Sequence, residues 1–447
     1  MAFGQPIYET HPHLIQPGEI SPGITAQEYY ERRIRLSSLL RPKSAAILIG
    51  SDVKYRAGNV FYEFHQDPNF FYLTGFDEPD SLMVIENISS KCSFHLFVRP
   101  KDPKAELWDG SRTGVEAAIE IFNADASGSS ATMPGLEKLI SSSENIYLNQ
   151  TDTRDSSFSL FTGPKTFSGG KIHQMVRNKA IYNIGPIVES LRTIKSSAEI
   201  DVMHKASRMS AKAYNDAYKT KFTKESDLYA FLEYRFKIEG CDRSGYVPVV
   251  AGGTNALQIH YTKNYDVLRD EDLVLVDAGG QLGYYCADIS RTWPVGGKFS
   301  AAQKDLYEAI LSVNKDCIKL GSEASKFSLN EIHHYSVELM DIALKNIGIN
   351  VSRSTLARLY PHHVGHYLGL EVHDTPSVSR SNPLKAGQVI TIEPGIYVPE
   401  NDPDVPSAYH GIGIRIEDNV CVGTKQPFVL TSAALKEVSD IENVLNE

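Results

Sequence analysis

The chain has 447 residues, 42% hydrophobic and 22% charged, which is ordinary globular usage, argues against a disordered chain and leaves room for two or three domains with cores of their own. A formal net charge of −10 gives nucleic acid or an anionic membrane surface no electrostatic support as partners. The five cysteines are scattered without a C-x-x-C pair, which points to a reducing compartment, and no run approaches the ~18 consecutive apolar residues of a membrane span.

The first thirty residues hold neither Lys nor Arg, so the expectation is a cytosolic protein or the mature form of an imported one, without a targeting peptide. Residues Met1 to Ile24, punctuated by Pro and Gly, read as an extended surface segment. Thr25 and Glu28 have capping-box spacing and open a helix that runs to Leu40, before Pro42. Ala45 to Ile49, Phe70 to Leu73, Leu82 to Ile85 and Phe94 to Val98 read as strands of an α/β or α+β domain. The stretches Phe64 to Phe76 and Leu107 to Gly114 fit an aromatic core and a structural turn, or parts of a site. Ala124 to Ser130 and Ser141 to Ser143 read as exposed loops. The texture changes near Ile184-Gly185-Pro186, and Ser190 to Tyr218, free of Gly and Pro, predicts a long helix. The expected domains are therefore 1–187 and 188–447.

Two aspartates stand out in the second of these. Leu273-Val274-Leu275-Val276 is a buried strand ending on Asp277. Gly279, Gly280 and Gly283 supply a turn, and Tyr284 to Thr292 returns. With the turn centred near Leu282-Gly283, Asp277 and Asp288 face each other across the ladder, Cβ atoms roughly 4.5–5.5 Å apart. Facing carboxylates need a shared proton or a cation between them, although an N-cap Asp and a solvated Asp would explain the pair as well.

Ser300 and Gln303 cap a helix whose face Leu306, Ile310, Val313, Cys317 and Leu320 is packing, and Asn330 to Asn346 is a second helix. An α+β fold with helices covering one sheet face follows. Pro361 to Asp374 then holds four histidines within twelve residues, His362, His363, His366 and His373, without the H-E-x-x-H spacing of a helical zinc site. Val389 to Ile392 is a strand that ends on Glu393. Gly411 to Asp418 alternates, placing Ile412, Ile414 and Ile416 on one side and Gly413, Arg415 and Glu417 on the other, as an exposed edge strand also could. Four strand-borne carboxylates with one His form an oxygen-rich set suited to Mn, Co or Zn.

These stretches, DAGG, ADISRT, VGHYLGLEVHD, TIEPG and GIRIED, resemble those of the pita-bread metallopeptidases, the family of methionine aminopeptidase, Xaa-Pro aminopeptidase and prolidase. The resemblance implies two divalent ions, with Mn2+ the first expectation and Co2+ or Zn2+ the alternatives, held by Asp277, Asp288, His366, Glu393 and Glu417. It further implies that Glu393 handles the proton of the attacking water, that His373 helps hold the oxyanion, and that His260, His362 and Arg415 position substrate and ligands. One departure is His362-His363, where the family often has His-Gly. FHQDPNFFYLTGFDEPDS and LWDGSRTG resemble the amino-terminal domain of the aminopeptidase P branch, and GQPIYETHPHLI and YYCADISRTWP resemble its members that trim imported mitochondrial proteins. The implied activity is removal of one bulky amino-terminal residue, Tyr, Phe or Leu, from peptides or proteins in the mitochondrion. The alternatives are an Xaa-Pro aminopeptidase, a cytoplasmic location, or an inactive pita-bread domain that binds peptides. A homodimer is a further expectation.

Overall fold

The computed structural model describes residues 3–88, 91–149 and 169–447, so Met1 and Ala2 of the predicted surface segment lie outside the described residues. The chain divides into two compact units, Met1–Arg192 and Thr193–Glu447.

The first unit is built on a six-stranded mixed sheet. Its strands run, across the sheet, Ala180–Asn183, Asn145–Leu148, Ser44–Ile49, Leu82–Ile88, Lys91–Val98 and Ala126–Ser129. The predicted helix is present as Ala26–Leu39, and the Thr25 side chain accepts from the Glu28 amide as its cap. The predicted strand Phe70 to Leu73 is instead part of a helix, Pro68–Thr74. Asp67 accepts from the Phe70 amide, Pro68 occupies the first turn and Gly75 closes the helix at φ +66°, so stop and start signals outweigh the β-prone aromatics. Ala126–Ser129 pairs in parallel with His95 to Val98 and is not a loop, and Ser141 and Ser142 end the helix Leu136–Ser142. The opening segment buries Ile7, Ile15, Ile20 and Ile24, so it packs and does not merely lie on the surface.

The chain passes from the first unit to the second at a helix break. The single helix expected from Ser190 is two, Gly185–Thr193 and Ser197–Tyr218, because Ser196 and Glu199 form a reciprocal capping box that starts the second one afresh. The helices Ala301–Ile318 and Leu329–Asn346 stand as predicted, and the Leu306, Ile310, Val313 and Cys317 face is buried. They pack over short antiparallel sheets.

One of those sheets carries the hairpin. Leu273–Asp277 pairs with Ser290–Pro294, placing Asp277 opposite Ser290, while Gly280–Leu282 pairs with Tyr285–Cys286 in the same register. The turn is therefore centred on Gly283-Tyr284, one residue beyond the expected position, and both residues have positive φ, +52° and +73°. Tyr284 tolerates this conformation with its ring buried and the Arg243 guanidinium 5.7 Å from the ring centroid. Asp288 does not face Asp277 directly. It lies two residues from Asp277's partner, on the same face, so the two carboxylates are diagonal neighbours.

A buried polar network fixes the strand ends. Arg291 donates to the carbonyls of Ser290, Glu417, Ala434 and Leu435 and to Asp418 Oδ1 at 2.9 Å. Asp418 also accepts from Lys436 and Thr431, and Lys436 continues to Asn314 Oδ1. Asn314, on the helix Ala301–Ile318, donates to the carbonyls of Ile392 and Ile416, the residues just before Glu393 and Glu417. Truncating one member of such a network strands the opposite charge in dry protein. Asp418→Ala is expected to destabilise the second unit by about 3–5 kcal/mol, read from the shift of its urea unfolding midpoint at unchanged slope.

Candidate active site

Four strand ends and one loop deliver the polar cluster. Asp277 ends its strand, Asp288 follows the hairpin tip, Glu393 follows Val389–Ile392, and Glu417 sits between Gly413–Arg415 and Asp418–Cys421. The fifth member, His366, lies where Gly365 passes the strand Val389–Ile392 so closely that a Cβ there would stand 1.9 Å from the Thr391 carbonyl oxygen. Only glycine lets His366 come this near. Arg415 and Glu417 are each 1% exposed, which excludes the exposed edge strand that the alternation alone allowed.

The distances are short. His366 Nε2 is 3.4 Å from Asp288 Oδ2 and 3.5 Å from Glu393 Oε1, and single ligand atoms of Asp288, His366 and Glu417 all lie within 4.8 Å of one another. The Tyr246 hydroxyl spans the diagonal pair, 2.6 Å from Asp277 Oδ1 and 2.5 Å from Asp288 Oδ1. Arg415 reaches Asp277 Oδ2 at 2.6 Å, Ser290 Oγ at 2.8 Å and the Tyr397 hydroxyl at 2.8 Å. Ser290 Oγ in turn donates to Glu417 Oε2. Asn419 brackets the Asp288 peptide, accepting from its amide and donating to its carbonyl.

Charge crowding shifts the proton affinities. Burial pushes the Glu393 carboxyl up to about 7, against the pull of His366 and Arg415. Burial and the repulsion of Asp288, Glu393 and Asp277 push Glu417 well above the usual carboxylate range. Asp277 is likewise raised by burial, with Arg415 opposing. Burial works against Asp288 too, but the hydrogen bond and charge of His366, helped by Tyr246, hold it below its ordinary value. His366 overcomes its own burial through Asp288 and Glu393 and rises to about 9.

The residues fit divalent cations. Asp277, Asp288, Glu393 and Glu417 face one permanent cation, Arg415, and Glu417 Oε1 is buried without a hydrogen-bond partner. Oxygen donors of this kind with one imidazole are a hard-metal set. The His366 tautomer suits the same purpose, because Nδ1 lies 3.0 Å from the Tyr367 carbonyl, must donate to it, and so leaves Nε2 pointing at the carboxylates.

The other histidines divide. His362 Nδ1 donates to the His363 carbonyl at 2.9 Å, so Nε2 accepts from the Tyr397 hydroxyl at 2.9 Å, which itself accepts from Arg415. Burial and the Arg415 charge hold His362 neutral, down to about 3. His373 is solvent-exposed with its ring edge-on to His366, centroids 4.6 Å apart. His260 is exposed too, and the proton affinity of His373 is lowered by its partial desolvation and by His366, with His260 adding to the same effect. His363, the departure from the family pattern, stacks on His333 of the helix Leu329–Asn346 at 4.6 Å. Sequence reasoning missed Tyr246 and Tyr397. Tyr397 carried a usable signal, since it lies two residues beyond Gly395, the partner of Arg415, and thus on the same face.

Comparison with known proteins identifies the family. The profile of metallopeptidase family M24 matches residues 201–424, and that of the aminopeptidase P amino-terminal domain matches residues 29–147. Intermediate cleaving peptidase 55 of Saccharomyces cerevisiae is 48% identical over 99% of this chain and 88% of its own length. A crystal structure of that yeast protein superposes with a TM-score of 0.87 at 46% identity, covering 96% of this chain and 99% of the other. Xaa-Pro aminopeptidase 3 of Homo sapiens is 38% identical over 100% of this chain and 91% of its own length. The Arabidopsis thaliana protein named intermediate cleaving peptidase 55, mitochondrial, is 37% identical over 99% and 88%. The chain therefore belongs to metallopeptidase family M24, a family that works with divalent metal ions, and carries the amino-terminal domain of its aminopeptidase P branch.

Proposed function

We propose that this chain is an aminopeptidase that removes one bulky amino-terminal residue, such as Tyr, Phe or Leu, from proteins in the mitochondrion. The observation that carries the reading is the surplus of buried carboxylate around His366 Nε2, with Glu417 Oε1 left unpartnered. The yeast and plant relatives, named as intermediate cleaving peptidases, support the substrate class, and the plant protein's name supports the location. A second reading, cleavage before proline, is favoured by the likeness to human Xaa-Pro aminopeptidase 3. Among the described residues no helix is long and apolar enough to cross a membrane.

Asp277, Asp288, His366, Glu393 and Glu417 would hold two divalent ions, Mn2+ in first place and Co2+ or Zn2+ as alternatives. When bound, such ions supply Lewis acidity and acidify water at neutral pH. Glu393 takes the proton of the attacking water and passes it toward the leaving nitrogen. His373, exposed beside His366, donates to the carbonyl oxygen as charge develops there. Arg415 polarises the Tyr397 hydroxyl, which keeps His362 neutral and oriented. His260 holds the substrate chain.

The substrate reading is tested by kcat/KM with two peptide sets, one beginning Tyr, Phe or Leu before a residue other than Pro, one beginning Xaa-Pro. The first set is expected to be preferred, and a clear preference for the second replaces this reading with the Xaa-Pro one. Chelator-stripped protein is expected to lose turnover and regain it with Mn2+ or Co2+. Its stability also has a sign. Glu393 and His366 sit at about 7 and about 9 against ordinary values of 4.5 and 6.5. The metal-free native state therefore binds more protons than the unfolded chain between those values, and stability present at low pH is lost as pH rises through 7 and then 9. Thermal melts of stripped protein from pH 5 to pH 9 should show a falling midpoint that added metal restores. Finally, His373→Ala is expected to lower kcat roughly 10²–10³-fold with KM and metal content near wild type, whereas His366→Ala should lose metal. Paired elemental analysis and steady-state kinetics separate the two.

A further inference from the structure

The break between the helices Gly185–Thr193 and Ser197–Tyr218 hides a charge that the reaction as described does not use. Lys195 Nζ lies 3.0 Å from Asp374 Oδ2, and both side chains are 1% exposed. A buried ion pair is seldom more stabilising than apolar residues of equal volume, so its presence calls for a positional reason.

Its surroundings supply one. Lys195 donates its amide to the Gly387 carbonyl at 2.8 Å, and Gly387 leads through Gln388 into the strand Val389–Ile392, which Glu393 follows. On the other side lies the loop after His366. Its Asp374 amide returns to the Tyr367 carbonyl, and Gly369 bonds to the Glu371 carbonyl, so the loop folds back on itself. A Cβ on Gly369 would stand 2.5 Å from Asp374 Oδ2 and 3.0 Å from Lys195 Cε, which shows how tightly the pair is enclosed. Thr375, next in the chain, is held at φ +48°. Adjacent side chains here part: Asp374 is buried, while His373 faces solvent with its ring against His366.

We propose that Lys195 is a positioning residue for the reaction, clamping Asp374 so that the loop Tyr367 to Thr375 presents the neighbouring His373 imidazole beside His366. This rests on the role given above to His373. Lys195 touches no reacting atom. It acts through Asp374 on the orientation of one hydrogen-bond donor, and the loss it causes must disappear when that donor is absent.

The test is a double-mutant cycle of Lys195→Met and His373→Ala, read as kcat, KM, metal content and thermal midpoint. Lys195→Met is expected to lower kcat roughly 10–100-fold, as supporting contacts of this kind do, with KM and metal content unchanged. In the His373→Ala background it should cause no further loss. The pair Lys195→Met with Asp374→Leu restores apolar packing, so it should recover the thermal midpoint and remain slow, and it carries the same cycle if Lys195→Met alone folds poorly. Equal losses in both backgrounds, or full activity in the apolar pair, overturn the proposal. If His373→Ala alone keeps wild-type kcat, the reading of His373 falls and this inference with it. An impaired His373→Ala with additive Lys195→Met sinks the inference alone.

Discussion

Mutual repulsion among Asp277, Asp288, Glu393 and Glu417 is the constraint that the second unit is built to contain. Two unit charges 4 Å apart interact by about 4 kcal/mol even at an effective dielectric constant of 20. Left to relax, the carboxylates would separate or take up protons, and burial, with that repulsion added to it, raises Glu393, Glu417 and Asp277 above the usual carboxylate range. The fold resists by placing each group at a strand end whose neighbouring carbonyls are already committed: Ile392 and Ile416 to Asn314, Glu417 and Ser290 to Arg291, Asp288 to Asn419. The backbone cannot drift without breaking buried hydrogen bonds, so the charges stay assembled.

Arg415 serves two ends at once. Its guanidinium offsets Asp277 directly, and by donating to the Tyr397 hydroxyl it favours the orientation in which that hydroxyl donates to His362 Nε2, the nitrogen that the His363 carbonyl leaves unprotonated. Charge balance in the cluster and hydrogen-bond polarity outside it are therefore coupled through one side chain. Lysine could not replace it, because three separate acceptors, Asp277, Ser290 and Tyr397, need the planar fork.

Much of this was legible in the sequence for reasons that can be named. Strands that end on a carboxylate, such as Val389 to Glu393, betray themselves by an apolar run broken by a charge, and capped helices such as Ala301–Ile318 betray both start and face. Asp277 and Asp288 share a face whether the turn is centred on Leu282-Gly283 or on Gly283-Tyr284, because moving the centre by one residue moves each pairing by two and leaves the face unchanged. What escaped has physical causes too. Asn314 reads as one polar residue beside an apolar stripe, and only the tertiary approach of two strand ends gives it acceptors. Tyr246 follows a short strand, Arg243–Ser244, with no periodicity to place its hydroxyl. Phe70 to Leu73 is strand-prone by its aromatic content, and the Asp67-Pro68 start and the Gly75 stop override that tendency.

The hairpin has its length locked from both ends. At one end, Asp277 and Ser290 are pinned by the ladder. At the other, the tip is buried at Tyr284 and tied down where the Cys286 amide meets the Gly369 carbonyl. Inserting one residue between Asp277 and Asp288 would turn Asp288 to the far side of the sheet, and inserting two would restore the side but push a bulge into packed protein. Chain length in this segment is thus a parity code: the eleven steps from Asp277 to Asp288 are as much a part of the site as the carboxylates they separate.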